Sequence, residues 1–171
     1  MEKDIVTKIL QGKIFIYPTD TIYGIGCNAL DREAVEKIRD IKQRDNKPFS
    51  VIAPNISWIK EHCRFNEILE KYLPGPYTLI LEKFNPEFLS HVSNLSTLGV
   101  RIPNNDFCKQ IQKSQVPFIT TSVNLSGQPF ATKISEIPDE IKSQVDVIID
   151  AGKLTGKPST LIIDGKEVSR K

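Results

Sequence analysis

The sequence has few cysteines and no long apolar run, and both absences narrow the class of protein. Its three cysteines, Cys27, Cys63 and Cys108, are odd in number, lie far apart among 171 residues and form no CxxC pair. This usage argues against a disulfide framework or a structural zinc site and is typical of a reduced intracellular protein. No stretch approaches the roughly 20 apolar residues of a membrane span, and the start MEKDIVTKIL lacks the apolar core of a signal peptide. We therefore expect a cytoplasmic protein with no membrane anchor.

Common catalytic and phosphate-binding fingerprints are also missing. The chain contains neither a GxxxxGK[ST] loop nor a GxGxxG turn. Its two histidines, His62 and His91, are not spaced for a metal site or a serine–histidine pair. We expect no protein-bound metal, and His62 is interpreted as a surface residue of an amphipathic helix.

The overall composition indicates one folded domain spanning residues 1–171. Apolar residues make up 39% of the chain, which is enough for a packed core. The 23 basic and 21 acidic residues leave a net charge of +2. That charge is too small to indicate a nucleic-acid partner, so any such argument depends on local clusters.

Short β-rich runs alternate with helical periodicity, which predicts an α/β domain with a mixed sheet. Asp31 is a good N-cap for a helix in which Ala34, Val35, Ile38 and Ile41 recur on one face. The other predicted helical segments are Asn55–Cys63, Asn66–Leu73, Asn105–Lys113 and Ile134–Lys142, the last interrupted at Pro138. The predicted strands are Ile14–Tyr17, Phe49–Ala53, Tyr77–Lys83, Leu98–Ile102, Val116–Thr121, Val145–Asp150 and Thr160–Asp164.

Hydroxyl and amide side chains gather where several predicted strands end. The first strand leads into PTDT and then Tyr23, Gly24 and Gly26, a segment that suits either close approach to a ligand or an ordinary turn. The strand that ends near Thr121 leads into SVNLSG, which suits either a helix cap or a loop that binds phosphate and amino-acid groups. Further hydroxyls occur in the KPST segment before the last strand.

Cations stand out at two places. The run Lys37, Arg39, Lys42, Arg44 and Lys47 carries a local excess of positive charge near a predicted helix end. It is interpreted either as a solvated face that complements the helix dipole or as a polyphosphate clamp. Arg101 stands alone in an apolar strand and must meet either a structural carboxylate or an anionic ligand.

Six segments in this order resemble the YrdC/Sua5 family of threonylcarbamoyl-AMP synthases. They are PTDTIYGIG, IKQRDNKPFS, PGPYT, VRIP, SVNLSG and PST, and together they span nearly the whole chain. The resemblance implies a single-domain protein with a twisted mixed β-sheet, flanking helices and a concave basic cavity.

The same resemblance implies two sets of site residues. The threonine-binding set is Thr21, Arg101, Thr120 and Ser159. The ATP-binding set is Lys42, Arg44, Lys47, Thr97, Ser122, Asn124 and Arg170, with Mg²⁺ accompanying ATP. No side chain is expected to form a covalent intermediate.

The chain departs from the family pattern at four points. Some relatives carry a histidine where this chain has Ile52, and Val123 replaces the alanine of the more common SAN triplet. The spacing from Arg44 to Pro48 is one residue tighter than in many relatives. The extra C-terminal domain of the longer Sua5 branch is absent, so we expect the short form.

The implied activity is an L-threonylcarbamoyladenylate synthase, a nucleotidyltransferase that uses L-threonine, bicarbonate and ATP for the t6A modification of tRNA. Its implied partners are the proteins of a downstream tRNA threonylcarbamoyl-transferase complex, with tRNA itself as a further candidate. Two alternatives stay open: a non-catalytic module that binds double-stranded RNA or tRNA, and a family member that acts on another carbamoyl or acyl substrate.

Overall fold

A nine-stranded mixed sheet forms the centre of the computed structural model, which describes residues 2–170. Within that range the helices are α1 (Glu2–Leu10), α2 (Arg32–Lys42), α3 (Ile56–His62), α4 (Asp106–Lys113) and α5 (Asp139–Lys142). Two 3₁₀-helices cover Glu67–Tyr72 and Ile134–Glu136. The strands are β1 (Phe15–Pro18), β2 (Tyr23–Gly26), β3 (Ser50–Ile52), β4 (Tyr77–Glu82), β5 (Thr97–Arg101), β6 (Phe118–Ser122), β7 (Val147–Ile148), β8 (Thr160–Ile163) and β9 (Lys166–Val168). The predicted α/β fold with a mixed sheet and flanking helices is confirmed.

The strands lie in the order β7-β1-β2-β6-β3-β5-β4-β8-β9. Three neighbouring pairs are parallel, namely β1 with β7, β3 with β5 and β4 with β8, and the other pairs are antiparallel. The helices that the structure describes are too short and too polar to cross a membrane.

The helices begin where short polar side chains cap them. Asp31, Asn55 and Asn105 each accept a hydrogen bond from the backbone N–H three residues later, and Asn66 accepts one from Ile68. These caps satisfy amide groups that would otherwise have no partner in the first helical turn. The predicted starts at Asp31, Asn55 and Asn66 are therefore confirmed, although the Asn66 segment is a 3₁₀-helix.

Strand β2 is missing from the sequence prediction, which offers either an ordinary turn or a segment close to a ligand for Tyr23, Gly24 and Gly26. A Cβ at Gly24 would lie 3.1 Å from the ring of Tyr17, and one at Gly26 would lie 2.6 Å from the ring of Phe118. The carbonyl oxygen of Ile119 would lie still closer to a Cβ at Gly26, at 2.0 Å, so only glycine fits there, and the space at Gly24 is tight. Helix α1 and strand β9 were also not predicted, and β7 is shorter than its predicted range.

The two faces of the sheet have different coverings. On one face Ile16, Ile25, Val51, Val100 and Ile119 join the core that contains residues of α2 and α3. Side chains alternate along each strand, so the intervening residues face the other side. On that side, one half of the sheet is covered by α1 and α4. A second apolar cluster fills this interface and includes Phe15, Tyr17, Ile52, Phe107 and Phe118. The other half carries hydroxyls and arginines, and it forms the floor of a cavity.

Candidate active site

The cavity has a volume of about 260 Å³ and a polar, cationic lining. Its charged residues are Arg44, Arg101 and Arg170, and no Asp or Glu is among the described residues that line it. Its serine and threonine residues are Thr19, Thr21, Ser50, Thr78, Thr120, Thr121, Ser122 and Ser159. Three guanidinium groups among many hydroxyls favour ligands that carry several negative charges.

All four residues of the predicted threonine-binding set lie in this lining. Thr21 follows β1, Thr120 belongs to β6, Arg101 ends β5 and Ser159 precedes β8. Four segments that are distant in sequence therefore meet at one place. Their role in threonine binding stays a prediction.

Arg101 has the structural carboxylate partner that the sequence offered as one of two alternatives. Its Nη2 lies 2.5 Å from Oδ1 of Asp20, so the buried guanidinium has a structural carboxylate partner. Oδ2 of Asp20 accepts a hydrogen bond from the backbone N–H of Asn104 at 2.9 Å, which fixes the carboxylate. The Nε of Arg101 is buried and has no hydrogen-bond partner among the described residues. A guanidinium that is fixed by Asp20 and also lines the cavity is prepared for an anionic ligand.

The PTDT segment is both a turn and part of the site. The hydroxyl of Thr19 donates to the carbonyl of Ile22 at 2.7 Å and lies 2.9 Å from the hydroxyl of Thr21. Thr19 therefore stabilises the turn, as the alternative interpretation expected. The same turn also places Thr21 in the cavity lining beside Arg101. The Nη1 of Arg101 lies 3.5 Å from the hydroxyl of Thr21.

Arg170 connects the end of the described chain to the site. Its Nε donates to the carbonyl of Ser159 at 2.7 Å, and its Nη2 donates to the Ser159 hydroxyl at 3.2 Å. Burial, and then the positive charge of Arg101, lower the pKa of Arg170. The two guanidinium groups therefore act on the same region of the cavity, where an anion would relieve their repulsion.

Arg44 forms another part of the cationic wall. Its Nη2 donates to the carbonyl of Pro48 at 2.7 Å, and its guanidinium lies 5.0 Å from the centre of the Phe49 ring. Its Nε is buried without a hydrogen-bond partner among residues 2–170. Burial, followed by the charges of Arg39 and Arg170, lowers the pKa of Arg44. Arg44 thus lines the cavity, and its role in a polyphosphate clamp stays a prediction.

Arg39 has a structural role within the same basic run. Its guanidinium donates to four backbone carbonyls at 2.7–3.1 Å, those of Asp45, Lys47, His91 and Val92. It also lies 4.4 Å from the centre of the Phe49 ring. Arg39 therefore joins the loop that carries Arg44 to the loop before β5.

We expect Arg39→Met to lower the free energy of unfolding by about 3 kcal/mol, because it leaves carbonyls of two loops without their charged donor. Lys37→Met is the matched control, since Lys37 is exposed on the same helix and should change stability by less than about 0.5 kcal/mol. Urea unfolding of both variants measures the difference. Equal stabilities would show that the contacts of Arg39 are dispensable.

Four members of the predicted ATP-binding set do not line the cavity. Lys47 is exposed, and its carbonyl accepts from Arg39. Lys42 is only 1% exposed and donates through Nζ to the carbonyl of Ser122 and to Oδ1 of Asn124. Asn124 is the third member outside the lining, and together with Lys42 it contributes to the shape of the loop after β6. Thr97 is the fourth.

The register of the sheet places Thr97 relative to the other residues. Thr97 and Arg101 are the first and last residues of β5 and face the same side, roughly 13 Å apart along the strand. Ser122 lies at the same end of the cavity floor as Thr97, because β5 and β6 run in opposite directions on either side of β3. The predicted nucleotide residues on the sheet thus lie toward one end and Arg101 lies toward the other.

Several lining residues had not been predicted as site residues, notably Ser50 and Thr78. The hydroxyl of Thr78 lies 2.7 Å from that of Ser159, and both residues are buried. Ser50 and Thr78 lie within strands rather than at loops rich in polar residues. The available signal was their place at the ends of IKQRDNKPFS and PGPYT, two of the segments that carry the family resemblance.

Known proteins share the sequence pattern and the fold of this chain. The family model described as Telomere recombination, which covers Sua5, YciO and YrdC, matches residues 7–170. A putative threonylcarbamoyl-AMP synthase of Methanocaldococcus jannaschii is 42% identical over 161 residues, covering 91% of this chain and 76% of the relative.

Two crystal structures show the same fold. Sua5 of Pyrococcus abyssi, solved in complex with L-threonine, has a TM-score of 0.82 and 29% identity, covering 94% of this chain. The match covers 50% of the Pyrococcus chain, so the present chain spans about half its length. YciO of Escherichia coli also has a TM-score of 0.82 and 29% identity, covering 99% of this chain and 87% of YciO. The chain belongs to the Sua5/YciO/YrdC family.

Proposed function

We propose that this chain is an L-threonylcarbamoyladenylate synthase, which forms threonylcarbamoyl-AMP and pyrophosphate from L-threonine, bicarbonate and ATP. One observation carries the proposal: a single cavity joins the buried guanidinium of Arg101 to a second cationic region around Arg44. Such a cavity suits two anionic substrates that must react with each other. The relative from Methanocaldococcus jannaschii is named as a putative enzyme of this activity, and the Sua5 structure binds L-threonine.

In this proposal Arg101 binds the carboxylate of threonine. Thr21, Thr120 and Ser159 surround it with hydroxyls that can bind the remaining polar groups of the amino acid. These four residues line one connected region, and the hydroxyls can donate or accept as the substrate requires.

Arg44, Ser122 and Arg170 contact the nucleotide directly in this proposal, since they line the cavity. Lys42 and Asn124 act on the nucleotide through the loop that they hold, and Thr97 and Lys47 extend the site beyond the described lining. Because Arg170 also contacts Ser159, it lies where the two substrates meet.

The proposed reaction needs positioning and charge neutralisation rather than a covalent enzyme intermediate. The amine of threonine condenses with bicarbonate to give a carbamate and water. A carbamate oxygen then attacks the α-phosphorus of ATP, and pyrophosphate leaves with the electron pair of the broken P–O bond. Arg44 and Arg170 stabilise the negative charge that develops around phosphorus, while Arg101 holds the threonine carboxylate. The reaction makes the enzyme a nucleotidyltransferase.

Mg²⁺ accompanies ATP in this proposal and would neutralise part of the triphosphate charge. No Asp or Glu is among the described residues that line the cavity, so in this proposal phosphate oxygens and water would supply the ligands of the ion. The protein would therefore bind the metal through its substrate.

The product is a reactive mixed anhydride. We propose that separate transferase proteins consume it to modify tRNA, in agreement with the t6A pathway that the family resemblance implies.

Pyrophosphate release should require threonine and bicarbonate together, because both build the nucleophile. The purified chain is incubated with ATP and Mg²⁺ in degassed buffer, and pyrophosphate and the adenylate are measured. Omission of either substrate, or replacement of threonine by alanine, should reduce release to background. Equal release with alanine would instead indicate a family member with another acyl or carbamoyl substrate. A protein that binds RNA but releases no pyrophosphate would indicate the non-catalytic alternative.

A further inference from the structure

Ser50 lies in the middle of the cavity floor, and neither proposed set of substrate contacts includes it. It pairs with Gly99 on β5 and with Thr120 on β6. Arg101 lies two residues beyond Gly99, roughly 7 Å toward one end of the floor. Ser122 lies two residues beyond Thr120, toward the opposite end, because β3 and β6 are antiparallel. Ser50 therefore separates the proposed amino-acid end from the proposed nucleotide end.

The neighbouring strand leaves room for the Ser50 hydroxyl. A Cβ at Gly99 would lie 2.2 Å from Oγ of Ser50 and 3.0 Å from its Cβ, so only glycine leaves the hydroxyl where it is. The hydroxyl hydrogen-bonds no other residue of the described part of the chain. By contrast, the nearby hydroxyls of Thr78 and Ser159 are paired with each other. The Ser50 hydroxyl is thus positioned, accessible to the cavity and able to donate.

We propose that Ser50 is a further substrate-binding residue, whose hydroxyl donates a hydrogen bond to the one-carbon unit, first as bicarbonate and then as the carbamate. This proposal rests on the synthase function proposed above. The carbamate carbon is bonded to the threonine nitrogen, and one of its oxygens becomes bonded to the α-phosphorus. The carbamate must therefore lie between the amino acid and the nucleotide, as Ser50 does.

The hydrogen bond assists without transferring a proton. One carbamate oxygen forms the bond to the α-phosphorus as the bond to the pyrophosphate oxygen breaks. The other oxygen accepts from Ser50 throughout, so the hydroxyl limits rotation of the carbamate and directs the attacking oxygen. Losing one donor to a charged group should weaken binding of the one-carbon unit about tenfold or more.

The test compares Ser50→Ala with the wild type by titrating bicarbonate at saturating threonine and ATP. Ser50→Ala should raise the KM for bicarbonate about tenfold or more and lower kcat. Dissociation constants for threonine alone and for ATP alone should change by less than about twofold. Ser57→Ala, at an exposed serine of α3, is the matched control and should leave every constant unchanged.

Gly99→Ala gives a second, independent variant. Its added methyl group should displace the Ser50 hydroxyl and reproduce the bicarbonate defect. Adding Gly99→Ala to Ser50→Ala should cause little further loss, because the hydroxyl that would be displaced is already gone. Thermal unfolding of each variant identifies any general loss of structure.

Each outcome separates this inference from the proposed function. An active wild type with an unchanged bicarbonate KM in Ser50→Ala would overturn the role of Ser50 and leave the synthase function standing. A threonine dissociation constant that rises as much as the bicarbonate KM would place Ser50 with the amino-acid residues and overturn the inference. A wild type without threonine-dependent pyrophosphate release would overturn both proposals.

Discussion

Arg101→Ala should greatly weaken threonine binding while ATP binding changes much less, and Arg44→Ala should weaken ATP binding while threonine binding changes much less. Arg101 is 5% exposed, so a carboxylate bound to it is shielded from water. Loss of such a buried charge pair costs about 2–5 kcal/mol of binding. Calorimetric titration of each variant with each ligand alone measures the four affinities.

The contact between Arg101 and Asp20 makes an additional control necessary. Arg101→Ala leaves the carboxylate of Asp20 without its ion-pair partner, which can cost about 3–5 kcal/mol of folding free energy. A combined Asp20→Asn and Arg101→Met variant carries no unpaired carboxylate at this position. Its free energy of unfolding should therefore exceed that of Arg101→Ala. It should still bind threonine weakly, because the guanidinium is absent.

Arg64→Ala is the matched control for loss of an arginine elsewhere. Arg64 is 69% exposed and pairs with Glu82 outside the cavity lining, so neither affinity should change. If the Arg101 and Arg44 variants lose both ligands equally, or neither, the proposed division of the cavity is wrong.

The sequence predicted those elements whose causes are local. Asp31 and Asn55 cap their own helices, and the apolar residues of α2 recur at helical spacing, so these helices were predicted close to their observed starts. Strand β2 depends instead on rings that lie across Gly24 and Gly26. One of those rings belongs to Phe118, far away in sequence, and no local pattern shows that contact.

The same distinction explains which site residues were predicted. Thr21 and Ser122 lie at or beyond strand ends that are rich in polar residues, and these ends are visible in the sequence. Ser50 lies within a strand, and its importance comes from the neighbours that the sheet register gives it. Lys42 shows the opposite case. Its charge suggested a phosphate contact, but its ammonium is buried against the carbonyl of Ser122, 80 residues away.

The burial of Lys42 should also make the stability of the protein depend on pH. Burial, followed by the positive charge of Arg44, lowers the pKa of Lys42 to about 7. Its two acceptors, on Ser122 and Asn124, favour the charged form and oppose this change. An unfolded chain returns the lysine to its ordinary pKa near 10.4. Between about pH 7 and 10, the unfolded state therefore binds more protons than the folded state.

The direction of the effect follows from this difference in bound protons. The free energy of unfolding rises with pH wherever the unfolded state binds more protons, by at most about 1.4 kcal/mol per pH unit for one group. Below pH 7 both states carry the charged lysine, and the cost of burying it is fully present. Lys42 should thus add about 2 kcal/mol to the stability of the wild type between pH 7 and pH 9.

Lys42→Met should remove this contribution, since methionine is similar in length and carries no titratable group. The difference in the free energy of unfolding between wild type and variant should change by about 2 kcal/mol in favour of the wild type from pH 7 to pH 9. Urea unfolding at several pH values measures it, with Lys60→Met as the control at a lysine whose side chain is 45% exposed. The free energy of unfolding of the Lys60→Met control should vary with pH as that of the wild type does. If the stability of Lys42→Met varies with pH as that of the wild type does, the two acceptors hold the ammonium charged throughout this range, and the contact of Lys42 with the loop after β6 does not respond to pH.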